Sequence, residues 1–171
     1  MTIDNDSCVL PQSRTDRGIK EDRISHLLSR LDNYKKVTGG LGVLVDGEPC
    51  FCIQGVMVQE YEQATGEKLS DWSSNAWMKM LDNSKGHVNP YLFNRVWRHF
   101  FGDRPQQEID LIHHYLWQVN DSKLVDGWEL VTIFLERLLE DRVELKMLSL
   151  KHWKEYVDGL YMEHNVRKTN E

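Results

Sequence analysis

Asp110, His113 and His114 are the residues of this chain whose types and spacing come nearest to chemistry. Positions three and four apart share a helix face, so one carboxylate could orient two imidazoles, share a metal ion with them or work with them as acid and base. A single helical trio supplies too few ligands for a metal. The chain offers no second Asp/Glu-x-x-His segment and no HExxH to complete one. Surface or core-edge histidines are the plainer reading, and neither a metal nor a cofactor is expected.

Cys50-Phe51-Cys52 is the second candidate, as a redox or metal-binding pair. In a strand these two cysteines lie on one face, where a free thiol packs as a small hydrophobe, and no nearby base or cation is placed to lower its pKa. With Cys8 the chain has three cysteines. They form neither a paired CxxC signature nor an even disulfide framework, so reduced thiols are expected. No GxSxG occurs. Gly39-Gly40-Leu41-Gly42 lacks the GK[ST] ending of a phosphate loop and follows a helix, which glycine stops. Six Trp, six Tyr and five Phe serve a core rather than a base-stacking platform, since no basic groove accompanies them.

The elements that must position these residues are mostly helical. From Asp22, the residues Ile24, Leu27, Leu28 and Leu31 fall on one helical stripe that ends at Tyr34, near Gly39-Gly40. Leu41 to Val45 and Pro49 to Cys52 flank Asp46-Gly47, a pair suited to a tight hairpin turn. Val56, Met57, Tyr61 and Ala64 predict a helix stopped by Gly66. Ser70 to Asp82, with Trp72, Trp77, Met78 and Leu81, reads as one or two helical turns. Asn89-Pro90 starts a helix running to Phe101 and Gly102. Pro105 begins the next, with Ile109, Ile112, Leu116 and Val119 on one side. Asp126-Gly127-Trp128-Glu129 resembles a capping box, and Trp128, Val131, Leu135, Leu138 and Leu139 follow as an apolar face. A last amphipathic helix spans Ser149 to about His164. The expected fold is thus mainly α, a single helical domain over 21–164 with one short β-hairpin near 41–52. Residues 1–20 read as a mobile arm and 165–171 as a flexible tail.

At 171 residues, 40% hydrophobic and 28% charged, the chain can bury one sizeable core and is neither wholly disordered nor collagen-like. Its net charge of −6 comes from 27 acids and 21 bases, interspersed along the chain. That pattern lacks the basic stripe of a nucleic-acid groove and the concentrated acidic face of a nucleic-acid mimic. No stretch has the length of a membrane span or the make-up of a signal peptide, so a cytoplasmic protein is expected.

Tyr34-Lys35-Lys36, then Gly39 or Gly40 and Leu41, then Gly47 through Met57 resemble a small family found in bacteriophage and bacterial genomes. That family has a tyrosine-glycine-leucine segment followed by a "CCLGV" segment. Leu116, Val119-Asn120-Asp121 and Trp128 to Leu135 resemble its leucine, "LND" and short helical close. The likeness spans about residues 24–140, with Phe51 and Gln54 replacing the commoner Cys and Leu. It implies a phage-type origin and no catalytic residue.

The leading expectation is a non-enzymatic interaction protein, a phage-encoded accessory protein or inhibitor that binds a host protein or itself. The alternative is a small enzyme seeded by Asp110, His113 and His114. Trp153, Tyr156 and Leu160, at three- and four-residue spacing on the last helix, either form a protein interface or close the domain's own core.

Overall fold

Ile24, Leu27 and Leu31 are buried along one side of helix α1 (23–30), which tightens into a 3₁₀ turn at Leu31–Asn33. The computed structural model describes residues 23–72, 76–81 and 90–171. The expected arm over 1–20, Cys8 and the Asn89 cap lie outside those residues. After the turn the chain does not coil on towards the glycines. Tyr34 turns extended and leads into strand β1 (Lys35–Lys36), which pairs parallel with a later strand, Lys35 opposite Cys50 and Lys36 opposite Phe51.

The hairpin forms where the Asp46-Gly47 pair predicts it. Strands β2 (Gly42–Val45) and β3 (Glu48–Phe51) run antiparallel, with Val45 opposite Glu48. Asp46 and Gly47 between them hold φ of 52° and 79°, the paired left-handed conformations of a two-residue turn. β3 runs almost directly into α2 (Ile53–Thr65), which stops at Gly66 with φ 74°. Gly55, in the first turn of α2, lies so near β2 that a Cβ there would overlap the carbonyl oxygen of Leu41.

Ser70 to Leu81 corrects the sequence reading. Instead of helical turns it forms an antiparallel pair, β4 (Ser70–Trp72) and β5 (Met78–Met80). Met78 and Met80 point inward and Lys79 outward, the period-two alternation of a strand. The Glu62 carboxylate on α2 accepts hydrogen bonds from the backbone N–H groups of Leu69 and Ser70, 2.8 and 2.7 Å, and so fixes where β4 begins. Val43 bridges to Trp77 and the Leu44 N–H donates to Ala76 O at 3.0 Å, joining the two small sheets.

Helices α3 (Pro90–Phe101), α4 (Gln106–Asn120), α5 (Glu129–Leu139) and α6 (Leu150–Thr169) complete the fold. α4 packs against α2, α3, α5 and α6, and its stripe Ile109, Ile112, Leu116 and Val119 is buried as its spacing predicts. Two boundaries differ from expectation. α5 begins at Glu129 with no side-chain cap, and Asp126 stays in the preceding loop. The Trp128 ring is instead drawn into the core, which sets the start of the helix. α6, capped by the Ser149 hydroxyl accepting from the His152 N–H, continues beyond His164 to Thr169, so most of the expected tail is helical. Among the described residues no helix is long and apolar enough to cross a membrane.

Candidate functional site

Asn120, the last residue of α4, has no exposed surface and makes polar contacts with two distant segments and with its neighbour Asp121. Its Oδ1 accepts the Ile53 N–H at 2.9 Å, and its Nδ2 donates to Val37 O at 3.2 Å and to Asp121 Oδ1 at 3.0 Å. Beside it, Cys52 Sγ accepts the Gly55 N–H at 3.5 Å and donates to Gln54 Oε1 at 3.1 Å. A thiol and a carboxamide thus satisfy N–H groups that the start of α2 would otherwise present to a ligand. Burial pushes the Cys52 thiol up to about 11, so it is protonated near neutrality and a poor nucleophile. Trp128 closes the junction by donating its indole N–H to Tyr34 O at 2.9 Å.

The rim of this buried junction is exposed and aromatic. Asp121 Oδ2 accepts the Trp117 indole N–H at 2.7 Å, while its Oδ1 accepts the Gly39 N–H at 3.4 Å. Trp77 lies over the neighbouring Gly40, where a Cβ would come within 2.9 Å of its ring. Both tryptophans keep 48% of their surface exposed. Half-buried Lys36 sits near Glu129, Asp121 and Asp126; burial lowers its pKa, and the three carboxylates oppose that shift.

The trio singled out in the sequence lies on the same side of α4. Asp110 is exposed and accepts from Gln106 Nε2 at 2.9 Å. His113 packs edge-on against Trp97, ring centroids 5.0 Å apart, and has its pKa lowered first by burial and then by His114, with Asp110 opposing. The two imidazoles stand 6.2 Å apart, and His114 leans towards Trp117 at 6.4 Å. The result is an aromatic ladder from Trp97 to Trp117. Among the described residues no three His, Cys, Asp or Glu side chains come together to hold a metal ion.

No protein-family model, curated protein or solved structure matches the chain. Function therefore rests on geometry. Tyr34, Gly39-Gly40, Cys52 to Gly55, Asn120-Asp121 and Trp128 meet at this junction.

Of the two readings open for Trp153, Tyr156 and Leu160, the structure has them turned inward to close the core. Trp153 and Leu160 are buried, and Trp153 and Tyr156 meet the Tyr115 ring of α4 edge-on, with centroids 4.5 and 5.1 Å away. The apolar side chains that α6 leaves outside are Leu150, Met162 and Val166. A further polar cluster is structural. Glu60, buried on α2, accepts from the Tyr34 hydroxyl at 2.5 Å and from Arg30 Nε at 3.3 Å, with His26 Nε2 at 3.6 Å, tying α1 and its 3₁₀ turn to α2.

The sequence reading assigned no site role to Trp77, Trp117 or Asp121. One signal was present. Trp117 falls off the Ile109, Ile112, Leu116, Val119 stripe, so it is a large aromatic on the wet side of an amphipathic helix.

Proposed function

We propose that the chain is a non-enzymatic protein-binding module whose contact surface is built on Trp77 and Trp117. The observation that carries this reading is that two half-exposed indoles are tied to one glycine loop, Trp77 over Gly40 and Trp117 through Asp121 to Gly39. Tryptophan dominates interface energetics because it buries a large rigid area at small entropic cost, and rings held in place before binding lose less still. The partner is a host protein or a second copy of the chain. A phage-encoded accessory or inhibitory role rests on the segment resemblance alone.

The test is the double variant Trp77→Ala, Trp117→Ala. Both side chains are half exposed, so the variant should melt close to wild type while losing proteins that wild type captures from lysate, or losing self-association measured by light scattering. Capture and association identical to wild type would end this reading.

A further inference from the structure

We propose that the surface around Trp117 and Trp77 takes a cationic protein segment, one that carries arginine or lysine beside apolar side chains; this rests on the protein-binding reading above. One carboxylate touches Trp117, and three more are linked to it through α4 and through Lys36. Asp110 precedes it by two turns on the same side of α4, Asp121 holds its indole N–H, and Asp126 and Glu129 gather with Asp121 around Lys36. Among the described residues none of the four has a lysine or arginine within ion-pair distance. Lys36, which three of the four surround, and the exposed Lys123, two residues after Asp121, stand against these four carboxylates.

Along α5 and α6 the charges are arranged differently. There Arg137 pairs with Glu163, Arg167 with Glu136 and Glu163, Arg142 with Glu140, and Lys151 with Glu155. The exposed Leu150, Met162 and Val166 of α6 thus share their helix with several charges paired within the chain. Around Trp117 four carboxylates share Lys36 and the neighbouring Lys123. A guanidinium or ammonium laid on an indole face gains from the ring quadrupole, and an adjacent carboxylate adds a charge-assisted hydrogen bond. An acidic partner segment would meet like charge at the same place.

The full chain, labelled with ¹⁵N, is titrated with a synthetic peptide of Arg, Leu and Ala and with a matched peptide of Glu, Leu and Ala. The cationic peptide should move the indole resonances of Trp77 and Trp117 and leave those of the buried Trp97 and Trp153 in place. Asp110→Asn combined with Asp126→Asn, both exposed, should weaken binding about threefold to tenfold, the scale of two partly screened ion pairs. Raising salt from about 0.05 M to about 0.5 M should weaken it in the same direction. Equal binding of the glutamate peptide, or an affinity indifferent to salt and to the Asn variant, would overturn the charge proposal and leave the apolar surface standing. No shift of either indole by the cationic peptide up to about 1 mM would overturn it as well. The underlying reading fails on separate grounds, if the Trp77→Ala, Trp117→Ala variant keeps every captured partner.

Discussion

Cys52 fills space in the core and its sulfur accepts the N–H of Gly55. Burial holds its folded pKa near 11 against a usual value of 9.0. The folded state then keeps its proton where the unfolded chain loses it, so the stabilisation is whole below pH 9 and fades as pH rises towards 11. Two pKa units correspond to roughly 3 kcal/mol at most. Tyr34, Tyr61, Tyr115 and Tyr156, also raised mainly by burial, add losses of the same sign starting about a unit higher. Denaturant midpoints from pH 8 to about 10 should therefore fall more steeply for wild type than for Cys52→Ala. Equal slopes would mean that the thiol titrates freely. That Cys52 is buried was expected from a strand pattern, although β3 ends one residue before it at Phe51. That its sulfur caps a helix was not, because capping is ordinarily the work of an oxygen. Asn120 was less legible still: its partners Ile53 and Val37 lie 67 and 83 residues away, beyond any local pattern.

At the scale of elements, two helical glycines have opposite environments and should respond oppositely to the same substitution. Gly55→Ala would drive a methyl group into the carbonyl of Leu41, the residue just before β2, against backbone that cannot step aside. The expected loss is about 3 kcal/mol or more, or no folded protein. Gly159 has nothing near its missing Cβ and lies on the exposed side of α6, so Gly159→Ala should stabilise by up to about 1 kcal/mol. Urea midpoints of the two variants check both signs, and a stabilised Gly55→Ala would contradict the contact between α2 and β2. The helices themselves were largely readable, since Ile109, Ile112, Leu116 and Val119 or Trp153, Val157 and Leu160 repeat at helical spacing. β4 and β5 were not, because three-residue strands are too short for alternation to outweigh Trp77 and Leu81 four residues apart. Asp126 misled for another reason. Its spacing to Glu129 fits a capping box, but burial of Trp128 carries the chain past it before the helix starts.

At the scale of the whole molecule, α6 is what closes the core. It lays Trp153, Val157 and Leu160 against α4 and α5, with Arg137 to Glu163 and Arg167 to Glu136 as ties along the edge. Trp153→Ala should cost about 3 to 5 kcal/mol in folding stability, the range for emptying a buried aromatic site. Met162→Ala, on the outer face of the same helix, should stay within about 0.5 kcal/mol. A Trp153→Ala protein that melts like wild type would place the helix elsewhere. Which side of such a stripe faces inward could not be read from α6 alone, because the pattern is the same whether its own core or a partner covers it.

The hydrogen bonds from Asn120 to Val37 and from Trp128 to Tyr34 cross 83 and 94 residues, and this has a consequence for how the chain is made. A ribosome releases Tyr34, Val37 and the start of α2 long before the residues that hold them. Until Trp128 has emerged, β1 has no clasp on its far side and the first N–H of α2 has no carboxamide to meet. Contacts this distant also form late in folding, since the intervening loop must close first. Vectorial synthesis therefore leaves the amino-terminal third waiting in a partly ordered state, with Phe51, Cys52 and Ile53 open to chaperones for the time it takes to translate the middle of the protein.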